Sequence, residues 1–385
     1  MSVELDLSID AAALTAALVD APSVSGTERE LADAVERALR ELPRLRVDRY
    51  GNNVVARTEL GLPERVVLAG HLDTVPIADN LPSRVEDGRL YGCGTTDMKS
   101  GVAVQLKVAH EIGRADGPSP NRDLTFVFYD CEEIEAARNG LGHLVREHPD
   151  WLEADFAVLL EGTSGQIEGG CKGTMRATVT TSGVRAHSAR DWLGVNAIHA
   201  MAPILTRLAE YRAREAVVEG LVYRECLNAV GVSGGVAGNV IPDECVVTVN
   251  YRFAPDRTEE QAAEHVREVF AGFEVEITDV APAAAPGLSL PVAAEFARVV
   301  GGTPQAKQGW TDVARFAGLG VPAVNFGPGD PTLAHTRGEY VEIALIAAAV
   351  ERMRGWLGLA EITDVWQSED NLRSAETQPG SRSSQ

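Results

Sequence analysis

Four short apolar runs, each followed closely by ionisable side chains, constrain the fold of this 385-residue chain more than any other feature. The runs are RVVLAG, RDLTFVFYD, ADFAVLL and VPAVNF, and their lengths are typical of buried strands. The stretches ELADAVERALREL and KSGVAVQLKVAHEIGRA have apolar residues at helical spacing. Strands and helices that alternate in this way predict an α/β sheet with helices on both faces. Such a sheet binds ligands just beyond the carboxyl ends of its strands.

Two local patterns precede the first of these runs. Ser25-Gly-Thr-Glu28 is a capping-box signature, which predicts a helix that starts at about residue 27 and ends in the low forties. RLRVDRYGNNVVARTEL predicts a β-hairpin.

The length and the change of pattern predict two domains. A single core usually stops growing at ~250–300 residues, which this chain exceeds. Residues 175–286 follow the order strand, helix, two strands, helix and strand, which matches the ferredoxin-like βαββαβ motif. We predict that this domain is inserted between two parts of a catalytic domain, 1–174 and 287–360. The polar segment 361–385 is predicted to be a disordered tail.

Composition excludes several classes of partner. The net charge of −21, without a compensating Lys/Arg run, opposes binding to nucleic acid or to anionic membranes. The N-terminus lacks the pattern of a signal peptide, and no apolar stretch is long enough for a membrane span. Five widely spaced cysteines without a CxxC pair indicate reduced thiols. We therefore expect a cytoplasmic enzyme.

His71 and Asp73 follow the first strand run and point to the same side of it. A histidine can ligate a metal while a nearby carboxylate holds its other ring nitrogen. The HxD pattern is common, however, and a hydrogen-bonded pair in a turn is the more frequent explanation of an isolated instance.

Asp97 lies among three glycines in GCGTTDMKSG, just before a helix. Glycines allow the backbone to approach a buried ion closely. An aspartate that caps the helix is the simpler explanation. Asp97 becomes a candidate ligand because one carboxylate can bridge two metal ions.

Glu132 and Glu133 follow a strongly apolar strand run, and adjacent residues there point in different directions. One carboxylate could bind metal while the other handles protons near a metal-activated water. Two solvated surface glutamates are the alternative in a chain with 56 acidic residues.

Glu161 ends a third strand run, and His335 lies in the turn-rich segment GPGDPTLAHTRGEY. Singly they mean little. Together, two histidines and three carboxylates at separate strand ends predict a pair of zinc ions, each with one histidine, one glutamate and a shared aspartate.

The motifs HLDTVP, YGCGTTDMKSG, DCEE, LLEGT and LAHTRGEY resemble the metallo-aminoacylase and carboxypeptidase superfamily over roughly residues 10 to 360. That superfamily includes succinyl-diaminopimelate desuccinylases, acetylornithine deacetylases, glutamate carboxypeptidases and dipeptidases. The resemblance implies a di-zinc catalytic domain with an inserted ferredoxin-like dimerisation domain. It also implies a cis peptide bond between Asp97 and Met98.

The resemblance implies roles for the candidate residues. One zinc ion would be bound by His71, Asp97 and Glu161, and the other by Asp97, Glu133 and His335, with Co²⁺ as a conceivable substitute. Further roles would fall to Glu132 as general base and acid and to Asp73, which would orient His71.

Three residues of the insert resemble the superfamily's substrate-binding residues, namely His187, Asn239 and Arg252, and Thr311 in the second part of the catalytic domain is a weaker candidate for the same pocket. His187 would stabilise the oxyanion, usually from the partner subunit, although a histidine at the surface or at a dimer interface is the alternative. Arg252 would grip a carboxylate through two parallel hydrogen bonds. Cys93, Thr96 and the pair Cys171-Lys172 depart from many relatives, which leaves the recognition of the substrate's far end open.

The runs FYDCEEIEAARNGLGHL and EGGCKGTMRA are most similar to the actinobacterial-type desuccinylase group. The resemblance therefore implies hydrolysis of N-succinyl-LL-2,6-diaminopimelate. Motif spacing alone supports only hydrolysis of a small N-acyl amino acid or dipeptide. An acetylornithine deacetylase, a metallodipeptidase and a non-catalytic binding protein on this fold remain alternatives. We also expect a homodimer through the insert.

Overall fold

The computed structural model of the protein describes residues 3–360. Two compact units divide this range. The first comprises residues 3–168, 287–305 and 315–360, and the second comprises residues 169–286 and 306–314. The predicted tail, 361–385, lies outside the described residues.

Helices and strands alternate along the chain. The helices are α1 (Ala11–Val19), α2 (Arg29–Arg40), α3 (Ser100–Gly113), α4 (Gly140–Glu147), α5 (Ala202–Glu210), α6 (Glu259–Val269), α7 (Pro291–Val300), α8 (Val313–Gly318) and α9 (Ile343–Trp356). The strands are β1 (Arg46–Tyr50), β2 (Asn53–Arg57), β3 (Arg65–His71), β4 (Arg84–Glu86), β5 (Arg89–Tyr91), β6 (Asp123–Tyr129), β7 (Phe156–Leu159), β8 (Glu168–Gly169), β9 (Gly173–Ser182), β10 (Ala186–His187), β11 (Glu215–Val218), β12 (Leu221–Arg224), β13 (Cys226–Gly234), β14 (Val240–Ile241), β15 (Glu244–Phe253), β16 (Glu274–Ala281), β17 (Gln305–Ala306), β18 (Ala323–Asn325) and β19 (Tyr340–Glu342).

The first unit is built on a mixed sheet with the order β1-β2-β6-β3-β7-β18-β8-β17. Its centre is parallel, since β3 pairs in parallel with both β6 and β7, and β18 pairs in parallel with β7. Strands β6 and β7 are buried at every residue. Because successive side chains point to opposite faces, complete burial means that both faces are covered. The α/β fold class predicted from the sequence is confirmed.

Parallel strands place their carboxyl ends at one edge of the sheet. β3 ends at His71, β6 ends just before the Cys131–Glu133 turn, and β7 ends just before Glu161. The fold of the first unit thus gathers three of the predicted ligand-bearing segments at that edge.

A three-stranded sheet, β19-β5-β4, was not predicted. β19 pairs antiparallel with β5, so that Tyr340 lies opposite Tyr91. This small sheet connects the segment after His335 with the segment before Asp97.

The second unit is built on the antiparallel sheet β13-β15-β9-β16. Burial alternates along β9 and β15, so one face of the sheet packs against a core that includes residues of α5 and α6. The order β9-α5-β13-β15-α6-β16 is the predicted βαββαβ motif. The hairpin β11–β12 and the pair β10–β14 are additions that the sequence did not reveal.

Segments 169–174 and 306–314 belong to the second unit, whereas the predicted boundaries assigned them to the catalytic domain. Among the described residues, no helix is both long and apolar enough to span a membrane.

The predicted capping box at Ser25–Glu28 is wrong. α2 begins at Arg29, and its N-cap Glu28 makes no capping hydrogen bond with its side chain. The Ser25 hydroxyl instead donates to the carboxylate of Asp73 at 2.7 Å. A capping box does occur at Thr258 and Gln261, where α6 begins.

Candidate metal centre

Asp97 lies between two histidines and contacts each with a different carboxylate oxygen. Its Oδ1 is 3.0 Å from Nε2 of His71, and its Oδ2 is 3.4 Å from Nε2 of His335. The same His335 nitrogen is 2.9 Å from Oε1 of Glu133. A carboxylate that directs its two oxygens to two separate nitrogen donors has the arrangement that a bridging metal ligand requires.

The predicted ligands thus occupy the first unit together. Donor atoms of His71, Asp97 and Glu133 lie within 4.8 Å of one another. Glu161 follows β7 and is only 6% exposed. Its neighbour Leu160 donates its N–H to Ala69 of the strand that ends at His71.

The two histidines lie in different surroundings. His71 is completely buried at the end of β3, whereas the side chain of His335 is half exposed in an irregular segment. The φ angle of His335 is +63°, in the left-handed region that non-glycine residues rarely adopt. Such strain is typical of residues whose side-chain direction matters for function.

The ring orientation of His71 follows from its hydrogen bonds. Nδ1 lies 3.1 Å from the backbone carbonyl oxygen of Asp73 and 3.5 Å from the Asp73 carboxylate. A carbonyl only accepts, so Nδ1 carries the hydrogen and Nε2 faces Asp97.

Three hydrogen-bond donors lie closer to the Asp73 carboxylate than the ring of His71 does. The carboxylate accepts the backbone N–H groups of Glu132 at 3.0 Å and Glu133 at 3.1 Å, together with the Ser25 hydroxyl. Asp73 therefore also holds the turn that presents Glu132 and Glu133. The preceding residue, Cys131, has a φ of +57°, and its N–H donates to buried Glu28.

Backbone N–H groups around Asp97 converge on the buried carboxylate of Glu339. Oε1 accepts from Thr96 at 2.8 Å and from Asp97 at 3.2 Å, and Oε2 accepts from Gly94 at 3.0 Å. The peptide bond between Asp97 and Met98 is cis, as the resemblance implied.

Electrostatics in this cluster favour positive charge. Burial alone would lower the pKa of His71, but Asp73 and Asp97 outweigh it and raise that pKa well above its usual range. Hydrogen bonds with Asp97 and Glu133 raise the pKa of His335 to about 10. Burial would raise the pKa of Asp97, yet the two histidines hold it far below its usual range.

The donor set fits divalent metal ions. Imidazole nitrogens and carboxylate oxygens are the ligands that zinc takes in catalytic sites, and the carboxylates here supply the negative charge that such ions need. Since the same carboxylates also retain protons on the histidines, metal ions and protons compete for this cluster.

His187 and Asn239 lie in the second unit, where the short pair β10–β14 brings them together. The N–H of Ser188 donates to the backbone oxygen of Asn239 at 2.9 Å. Nδ1 of His187 accepts the N–H of Ala189 at 3.1 Å, so a proton on this ring resides on Nε2. Both side chains are exposed.

Arg252 and Thr311 also belong to the second unit. Arg252 is half-buried on β15, and its Nε donates to Asn250 at 3.0 Å. Burial lowers the pKa of Arg252, and burial and the nearby Arg252 lower the pKa of Lys172. The Thr311 hydroxyl is buried without a hydrogen-bond partner among residues 3–360.

Residues 67–358 match the family model for Peptidase family M20/M25/M40. The chain belongs to this family. As a member it is a metal-dependent amide hydrolase.

Two curated relatives of this family member are similar over nearly their whole length. A provisionally named succinyl-diaminopimelate desuccinylase of Mycobacterium tuberculosis is 56% identical, covering 92% of this chain and 99% of the relative. A succinyl-diaminopimelate desuccinylase of Corynebacterium glutamicum is 50% identical, with 92% and 97% covered.

Solved structures share the fold of this family member. A tripeptidase of Staphylococcus aureus has a TM-score of 0.72 at 23% identity, covering 89% of this chain and 95% of its own. A dinuclear metal-binding M20 peptidase of Bacillus subtilis has a TM-score of 0.64 at 18% identity, with 92% and 98% covered.

Sequence reasoning missed three residues that support the site, namely Ser25, Glu28 and Glu339. Ser25 and Glu28 were interpreted as helix-capping residues. Glu339 is one of 56 acidic residues and follows His335 by four positions, with no local pattern that separates it from a surface glutamate. Its partners lie more than 240 residues away in sequence.

Proposed function

We propose that this family member hydrolyses N-succinyl-LL-2,6-diaminopimelate to succinate and LL-2,6-diaminopimelate, a step of lysine and diaminopimelate synthesis. Identities of 56% and 50% over nearly the whole chain to proteins named for this reaction support the substrate. The observation that carries the chemistry is Asp97, whose two oxygens face two histidines.

We propose two Zn²⁺ ions as the metals. His71, Asp97 and Glu161 would hold one ion, and Asp97, Glu133 and His335 the other. Bound zinc ions lower the pKa of water towards 7 and polarise an amide carbonyl, which makes hydrolysis accessible at neutral pH.

Glu132 is proposed as the proton carrier. Asp73 holds the Glu132 N–H, so the backbone of this residue is fixed beside that of the proposed ligand Glu133. A carboxylate in this position can take a proton from the attacking water and deliver it to the leaving amine.

Recognition of the substrate's carboxylates is proposed for the second unit. Arg252 is half-buried and Lys172 is buried, and burial together with the positive charge of Arg252 lowers the pKa of Lys172. A site with two adjacent cations suits an anion with a carboxylate far from the scissile amide. The unpaired Thr311 hydroxyl could add a hydrogen bond to that anion.

We further propose a homodimer through the second unit, in which the partner subunit's His187 stabilises the oxyanion. β13 lies at the edge of its sheet, and Val230 and Val232 on it are each 60% exposed. An edge strand with exposed apolar side chains is a ready surface for pairing with another chain. Trp192 is 74% exposed in the same unit.

A cytoplasmic location is proposed as well, because all five cysteines are free thiols. Free thiols are typical of a reducing compartment.

The substrate proposal is tested by comparing kcat/KM for succinyl-diaminopimelate and acetylornithine, with the zinc-loaded and the chelator-treated protein. We expect a preference for the succinyl substrate of at least 100-fold, because acetate lacks the distal carboxylate. We also expect the metal-free protein to lose activity. A preference for acetylornithine would contradict the substrate. Undiminished activity of protein shown by metal analysis to be metal-free would contradict the mechanism.

Assembly is tested by sedimentation of the wild-type protein and of Val232→Asp, with Val85→Asp in the first unit as control. We expect a dimer for the wild type and the control, and a monomer with reduced activity for Val232→Asp. A fully active wild-type monomer would contradict the dimer.

A further inference from the structure

The carboxylate of Glu339 lies beside the candidate metal centre but is not one of its proposed ligands. Glu339 is 2% exposed, and its side chain receives three backbone N–H groups within 3.2 Å, all from the loop 94–97. This loop carries Asp97, the proposed bridge between the metal ions.

Burying a carboxylate costs free energy unless strong hydrogen bonds compensate. Loop N–H groups are usually satisfied by water or by neutral carbonyl oxygens. Here one buried carboxyl side chain, provided by a segment distant in sequence, accepts three of them at once. Three hydrogen bonds to one side chain fix the backbone positions of Gly94, Thr96 and Asp97 relative to one another, so the loop is held rigidly.

Further hydrogen bonds join the segment 92–96 to residues 339 and 340. The N–H of Gly92 donates to the backbone oxygen of Glu339 at 3.1 Å, and the Thr96 hydroxyl donates to that of Tyr340 at 2.8 Å. A third segment also packs closely on this loop, since a Cβ on Gly329 would lie 2.5 Å from the Thr96 carbonyl oxygen.

We propose that Glu339 is a positioning residue, which sets the position of Asp97 relative to His335 so that both can hold the same metal ion. This inference rests on the two-metal site proposed above. Glu339 follows His335 by four residues in the chain, and its carboxylate holds the N–H of Asp97. The histidine and the bridging aspartate are thereby held in one hydrogen-bonded frame, independently of the strand that ends at His71.

The test is a calorimetric titration of metal-free protein with ZnCl₂ for the wild type, Glu339→Gln and a control. Gln has the same shape, but its amide nitrogen cannot accept the Gly94 N–H. Glu342→Gln is the matched control, because Glu342 lies three residues away, is exposed and pairs with Arg89 at 3.1 Å. Supporting residues of this kind typically change metal affinity by 10–100-fold.

We expect Glu339→Gln to bind at least one zinc ion 10-fold or more weakly than the wild type, with the control within 2-fold. At a fixed sub-saturating zinc concentration kcat should fall while KM changes less than 2-fold. Should Glu339→Gln fail to fold by circular dichroism, Glu339→Asp takes its place, since it keeps the charge but withdraws the carboxylate by one methylene; the same loss is expected.

Equal zinc affinity in the wild type and the folded variant would overturn the proposal. A lower melting temperature of the metal-free variant with unchanged zinc affinity would also overturn it. Either result would indicate a purely structural role. The titration needs no substrate. A wild type that binds two zinc ions but does not cleave succinyl-diaminopimelate would therefore refute the proposed reaction and leave the role of Glu339 supported by the titration. A wild type that binds no zinc would overturn both.

Discussion

The sheets of the two units differ in how much of their surface remains available. In the first unit, β6 and β7 are buried at every residue, so both faces are covered. In the second unit, β9 and β15 alternate between buried and more exposed residues, so one face and the edge strand β13 remain open.

This difference explains why the two units carry different kinds of candidate residue. A sheet covered on both faces can present polar groups only at its strand ends, where they are few and held rigidly. A sheet with an open face can present side chains along its strands and at its edge. We infer that the first unit provides the chemistry and the second provides recognition and assembly.

The largest effect is expected for Glu132→Ala in the first unit. Loss of the proton carrier should lower kcat by about 10³-fold and leave zinc content and KM nearly unchanged. Steady-state kinetics with metal analysis measures this. Glu135→Ala, an exposed position nearby, is the control. Undiminished kcat with both ions bound would mean that another group moves the proton.

Substitution of Glu225 tests whether the stability of the second unit depends on its buried carboxylate. This carboxylate is 2% exposed and accepts hydrogen bonds from Arg214, Arg257 and Tyr251. Removing one partner of a buried ion pair typically costs ~3–5 kcal/mol, so Glu225→Gln should lower the free energy of unfolding by about 3 kcal/mol. Denaturant unfolding, with exposed Glu244→Gln as control, measures the loss.

The same carboxylate predicts a pH dependence. Burial would raise the pKa of Glu225, but its hydrogen bonds, led by Arg214, lower it overall. Its stabilising effect is therefore complete above the ordinary glutamate pKa and is lost as the pH falls through the lower, folded-state pKa. The stability difference between wild type and Glu225→Gln should shrink in acid. A difference that stays constant down to pH 2 would contradict the shift.

Arg252→Ala should act on binding. If Arg252 grips a substrate carboxylate, its removal should raise KM by roughly 10–100-fold, corresponding to one charged hydrogen-bonded pair, with a smaller change in kcat. Arg212→Ala, exposed in the same unit, should have no effect. If only kcat fell, Arg252 would act in the chemical step and not in substrate binding. The inferred division of roles between the two units would then be wrong.

The smallest effect is expected for Thr311→Val. A buried hydroxyl without a partner destabilises the folded state, so an isosteric methyl group should leave the melting temperature unchanged or raise it slightly. KM should nevertheless rise a few-fold if the hydroxyl is reserved for substrate. A clear drop in melting temperature with constant KM would show that Thr311 serves packing instead.

The strands, and the clustering of ionisable residues at their ends, could be predicted because each depends on a short pattern. The strands ending at His71 and before Glu161 were visible as apolar runs, and complete burial made those runs continuous. Contacts between distant segments had no such pattern. Ser25 was assigned to a cap because sequence spacing cannot show that Asp73 competes for its hydroxyl.

Glu339 and the three-stranded sheet were also missed, because no local sequence pattern marks them. β4, β5 and β19 have only three residues each, too few for a period to be recognised. The roles of His187, Asn239, Arg252 and Thr311 remain predictions that rest on resemblance.

The path of the chain gives the metal centre an order of assembly during synthesis. His71, Asp97, Glu133 and Glu161 are translated first, then the entire second unit, and only afterwards β18 and His335. A ribosome-bound fragment that ends within the second unit therefore holds all three proposed acidic ligands but lacks His335, the Glu339 carboxylate and β18 of the main sheet. If the two ion positions are those proposed above, that fragment cannot complete them, and full metal loading waits until nearly the whole chain has left the ribosome.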